Sequence, residues 1–118
     1  MTTQTIGPVL AQAVAQALRN GKTLIEQHPE YCGIGLAMID GQFVCAEVYD
    51  GQITTPQQAQ NMRIQGQQPE CLVFATETEF ITWLAAQSDH SLSGHDLAHE
   101  WARGNQRLTL ARLQAFAA

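Results

Sequence analysis

The period of the hydrophobic and polar positions changes several times along the chain, and each change marks an element. The clearest stretch is CGIGLAMIDGQFVCAEVY, Cys32 to Tyr49, in which two runs of apolar and β-forming residues flank Asp40-Gly41. Asp-Gly tolerates the positive φ angles of a type I′ turn, so the stretch reads as a β-hairpin with a two-residue loop. The loop sets a register in which Ile39 faces Gln42, Met38 faces Phe43, Ala37 faces Val44, Leu36 faces Cys45, Gly35 faces Ala46 and Ile34 faces Glu47. Strand side chains alternate, which puts Ile34, Leu36, Met38, Phe43 and Cys45 on a large face. Gly33, Gly35, Ala37, Val44, Ala46 and Val48 make a small face. Neither face is polar. That predicts a central hairpin covered by helices or by a second subunit, with the small face inviting an alanine-rich helix.

The flanking segments supply the covers. Thr5 to about Asn20 has helical periodicity, with Pro8 in its first turn and Ile6, Leu10, Ala13, Val14, Ala17 and Leu18 on one stripe that matches the small face. Asn20-Gly21 stops this helix, and Thr23 to Gln27 is expected to resume for a turn before His28-Pro29. After the hairpin, Asp50-Gly51 forms a second turn and Gln52 to Thr55 extends the sheet briefly. Thr55-Pro56-Gln57-Gln58 is a capping box that opens a helix carrying Ala59 and Met62 inward and ending at Gly66. Cys71 to Ala75 is an apolar run that predicts an interior strand. Thr76-Glu77-Thr78-Glu79 then caps a helix to about Gln87, whose Phe80, Ile81, Trp83 and Leu84 cover the large face. A two-turn helix follows from Ser93 to Gly104. The last helix, capped by Asn105 or Thr109, carries Leu110, Leu113 and Phe116 and should dock on the sheet. The fold expected is a single α+β domain over residues 1–118. Its central antiparallel hairpin gains at least one further strand, three to five in all, and is covered by an N-terminal helix and C-terminal helices.

Composition narrows the partners. Charged residues make up 14% of the chain, against about 25% in ordinary soluble domains, and glutamine and alanine take their place, which favours self-association. Net charge is −5, with a single lysine, Lys22, and five scattered arginines. No basic stripe exists to neutralise phosphates, so a nucleic-acid partner is not expected, whereas a basic protein partner fits. No run of about eighteen apolar residues occurs, so no membrane partner is expected either. The N-terminus has no secretory pattern, and Cys32, Cys45 and Cys71 form no Cys-x-x-Cys pair. Both observations suit reduced, buried thiols in the cytoplasm. Gly21-Lys22-Thr23 resembles the end of a phosphate loop, but position 16 is Gln where that loop needs glycine.

Candidate chemistry is confined to one stretch. His95-Asp96-Leu97-Ala98-His99 has the outline of a zinc-protease motif, in which histidines at i and i+4 bind metal and the intervening carboxylate activates water. Aspartate replaces the motif's glutamate and is one methylene shorter. Helical phase also puts Leu97, Ala98 and Trp101 on one side and both histidines nearly opposite, which predicts a surface pair that takes up zinc or nickel only adventitiously. Asp96 serves equally as the third residue of a Ser93 capping box. Glu100, His90 and Asp89 are the nearest further ligands in sequence. The sequence therefore predicts a small cytoplasmic, non-enzymatic binding or regulatory protein. It would act through a protein–protein surface, as a homodimer or with a protein partner, for example as an acidic inhibitor or an oligomeric module. No resident cofactor is expected. The alternative is a small metal-dependent hydrolase using His95, His99 and either Asp96 or Glu100.

Overall fold

The computed structural model describes residues 4–25, 32–49, 51–92 and 108–118. At its centre, β1 (Cys32–Ile39) and β2 (Gln42–Tyr49) pair antiparallel in the predicted register, Leu36 opposite Cys45 and Ile34 opposite Glu47. Asp40 and Gly41 both have positive φ, 51° and 80°, as a type I′ turn requires, and the turn's twist matches that of the strands it joins.

The second edge of β2 is served by two short strands laid end to end. β3 (Gln52–Ile53) pairs with Val48 and Tyr49, while β4 (Cys71–Phe74) pairs with the stretch from Phe43 to Ala46. The break falls at Glu47, whose carbonyl accepts from the Thr54 N–H (2.8 Å) and whose own N–H donates to the Glu70 carbonyl (2.9 Å). Between these two bonds the chain leaves the sheet and returns through α2 (Pro56–Ile64). The Thr55 capping box is made in full, with Gln58 N–H donating to the Thr55 hydroxyl and Thr55 N–H to the Gln58 side chain. α2 ends in a Schellman motif, Gln67 N–H to Met62 and Gly66 N–H to Arg63.

α1 (Pro8–Arg19) begins three residues later than its apolar pattern suggested. Thr5 bridges Ser88, and the Ile6 and Gly7 N–H groups donate to the Gln87 and Ala85 carbonyls, so this stretch is bound to the end of α3 (Glu77–Ala85) instead of to a helical turn. α1 also ends in a Schellman motif, Lys22 N–H to Ala17 and Gly21 N–H to Leu18. Its buried residues are Ala11, Val14, Ala15, Ala17 and Leu18. They belong to one core with Ile34, Leu36, Phe43 and Cys45, with Phe80 and Leu84 of α3, and with Leu113 and Phe116 of α4 (Leu110–Ala117).

The structure departs from the sequence pattern in three places. α1 covers the large face of the hairpin and not the small one, because α1, α3 and α4 must share a single apolar surface and only the large side chains fill the space between them. The small face meets a different segment. Thr23 to Ile25 does not resume a helix; Leu24 bridges Leu36 on the edge of β1 away from β2, and a Cβ on Gly35 would lie 2.8 Å from the Leu24 carbonyl oxygen and 3.1 Å from Ile25 Cγ1. Finally, α4 packs mainly against α1 and not on the sheet; Lys22 donates to the Phe116 carbonyl at its C-terminal end, 2.9 Å away.

α3 covers the large face as expected. Phe80 stacks on Phe43 (centroids 4.8 Å apart, planes 8° apart) and meets Phe74 edge-on at 5.6 Å; Phe74 also contacts Trp83. The Thr76 hydroxyl caps the helix by accepting from Glu79 N–H at 3.2 Å. Arg19 bridges to Glu77 at the surface, where such a pair contributes under about 1 kcal/mol.

Candidate functional site

His95, Asp96, His99 and Glu100, the residues with metal-ligand spacing, lie outside the described residues, as do the helix predicted from Ser93 and its caps. The other suggested ligands are placed. Asp89 is exposed and its carboxylate accepts from the Leu110 N–H at 2.7 Å, so it anchors the start of α4 beside the Thr109 cap. His90 is exposed in the same turn. Among the described residues, no group of three or more His, Cys, Asp or Glu side chains could hold a metal ion. Cys45 and Cys71 are free thiols. Burial pushes the Cys45 thiol up to about 12, helped by the nearby Cys71 and Glu70, and burial also raises Cys71 despite the opposing charge of Arg63. Neither has the depressed pKa of a nucleophile.

Glu47 is a charged residue that the hydrophobic pattern places opposite Ile34 without marking it as functional. It is fully buried within the apolar strand β2, and the Tyr49 hydroxyl donates to its Oε2 at 2.6 Å. The signal was present, because period-two alternation places Glu47 on the large face opposite Ile34. Tyr49 also lines a cleft of about 360 Å³ between β3 and α2, together with Gln52, Thr54, Gln58, Asn61 and Met62. Its polar groups are amides and hydroxyls. No nucleophile and base meet in it.

The other feature is the outer edge of β4. The run from Cys71 is predicted as interior, but among the described residues it is an edge strand, with Leu72 46% and Val73 40% exposed. Because the Glu70 carbonyl points at β2, alternation aims the N–H and C=O of Leu72 and Phe74 inward and those of Cys71 and Val73 outward. Among the described residues no strand pairs with that outer side, and only the Arg63 guanidinium reaches it, 3.4 Å from the Cys71 carbonyl. Edge strands are normally shielded by charge, proline or a bulge, and CLVF has none of these within it. Compared with protein families, with characterised proteins and with solved structures, the chain matches none.

Proposed function

We propose that this is a non-enzymatic binding or regulatory protein of the cytoplasm that acts through a protein–protein surface and assembles as a homodimer. The β4 edge carries the reading: a short strand whose outward backbone groups are met, among the described residues, only by Arg63 at the Cys71 carbonyl, and which exposes two apolar side chains, is suited to pairing with another strand. Low charge density and a net charge of −5 support a surface that tolerates self-contact and attracts basic partners. The free Cys45 and Cys71 thiols suit a reducing compartment, and among the described residues no helix is long and apolar enough to cross a membrane.

Sedimentation velocity on untagged protein, with metal analysis of the same sample, tests this. A species heavier than the 12.9 kDa chain, without stoichiometric metal, is expected. A monomer carrying one zinc per chain would overturn the reading in favour of a hydrolase built on His95 and His99.

A further inference from the structure

We infer that two copies join edge to edge through β4, antiparallel, about a two-fold axis passing at Leu72, so that two sheets become one. This rests on the protein-surface reading above and specifies its partner and register. The outward backbone groups select the register. Each copy presents the outward N–H and C=O of Cys71 and Val73. An antiparallel two-fold pair can be centred on Cys71, on Leu72 or on Val73. Centring on Cys71 sets Val73 opposite Pro69 of the second copy, which has no N–H to give. Centring on Val73 sets Cys71 opposite Ala75, where the strand has already bent away. Centring on Leu72 sets Cys71 opposite Val73 of the second copy, and all the outward groups enter four mutual hydrogen bonds, the Cys71 carbonyl accepting with its second lone pair beside the long Arg63 contact.

The same axis brings the two Leu72 side chains together as a non-hydrogen-bonded pair, the closer of the two antiparallel spacings at roughly 4.5 Å between Cα atoms. It covers apolar surface that is 46% exposed at Leu72 and 40% exposed at Val73. Charge agrees with it: the register puts Arg63, beside Cys71, toward the end at which the second copy's strand runs into the acidic first turn of α3, where Glu79 adds to the Glu77 already paired with Arg19. A second copy is thus complementary in hydrogen bonds, apolar contact and charge at once. A four-residue strand is about 13 Å long, so the contact is small, and a reversible dimer of roughly micromolar affinity is expected.

Cysteine cross-linking reads the register directly. In a Cys45→Ala, Cys71→Ser background, which removes the thiol paired with position 72 in the same chain, Leu72→Cys and Val73→Cys are oxidised mildly at about 100 µM and followed on non-reducing gels. Leu72→Cys should form covalent dimer at least about tenfold faster, because its partner in the second copy is itself, whereas Val73 faces position 71. Sedimentation equilibrium of the otherwise native chain carrying Leu72→Lys should show the dimer dissociation constant raised at least about tenfold, and circular dichroism confirms folding. Equal or reversed cross-linking rates overturn the register. A wild-type dimer indifferent to Leu72→Lys overturns the β4 edge but leaves the protein-surface reading in place. A wild type that stays monomeric to about 500 µM overturns the homodimer in both. Dimer lost on addition of a foreign strand peptide supports the edge as the site.

Discussion

Replacing Gly35 by alanine separates two effects of opposite sign. Strands disfavour glycine, and a Gly→Ala change in a compatible backbone stabilises by about 0.4–1 kcal/mol, because the unfolded chain loses freedom. Here the added methyl has nowhere to go. Its Cβ would stand 2.8 Å from the Leu24 carbonyl oxygen, 2.9 Å from Val48 Cγ2 and 3.1 Å from Ile25 Cγ1. The first of these is backbone, held by the two hydrogen bonds between Leu24 and Leu36. The second belongs to a fully buried valine in the adjacent strand. Neither can yield as the tip of an exposed side chain would, so overpacking of about 1–3 kcal/mol is expected, and net destabilisation of roughly 1–2 kcal/mol remains after the entropic gain. In a chain of this size that lowers Tm by about 4–8 °C. Urea and thermal melts of wild type and Gly35→Ala measure it, and hydrogen exchange of the Leu24 and Leu36 amides shows whether the bridge loosens. A variant as stable as wild type, with both amides still protected, would refute the placement of Leu24 and Ile25 over the small face.

Thr76→Ala removes the hydroxyl that accepts from Glu79 N–H and should cost about 1 kcal/mol in denaturant melts, with oligomeric state unchanged. Cys45 should resist thiol reagents in the native protein, and it should make stability fall as pH rises. Its folded pKa is raised from 9.0 to about 12, so below pH 9 the thiol is neutral folded or unfolded and costs nothing, whereas between pH 9 and 12 only the unfolded chain ionises. The loss approaches about 1.4 kcal/mol per pH unit, and Cys45→Ala should flatten it. Substituting both His95 and His99 by alanine should leave Tm within the range of an exposed site, about 0.5 kcal/mol, and chelator should not change wild type; early melting in either case would put the metal-dependent reading first.

Determinants a few residues apart were legible in the sequence. Asp40-Gly41 specified the turn and, through it, every pairing from Ile39–Gln42 to Ile34–Glu47, because the backbone conformation of a two-residue loop leaves one register open. Thr55 and Thr76 marked helix starts for the same local reason, as did Thr109, which the structure selects over Asn105; each hydroxyl accepts from an N–H three residues on. Alternation likewise separated large from small residues on the hairpin and put Glu47 among the large ones. The metal-ligand pair His95 and His99 was legible as spacing alone. What covers each face belongs to the tertiary structure. An alanine-rich stripe fits either face of the hairpin; α1 lies on the large one because Phe80, Leu84, Leu113 and Phe116 leave room there for small residues, while Leu24 and Ile25 take the space at Gly35. The candidate site was hidden for a related reason. CLVF reads as interior because hydrophobicity does not record whether a strand has one neighbour or two. Only the pairing with β2, broken at Glu47 to let α2 out, leaves Cys71 and Val73 facing outward.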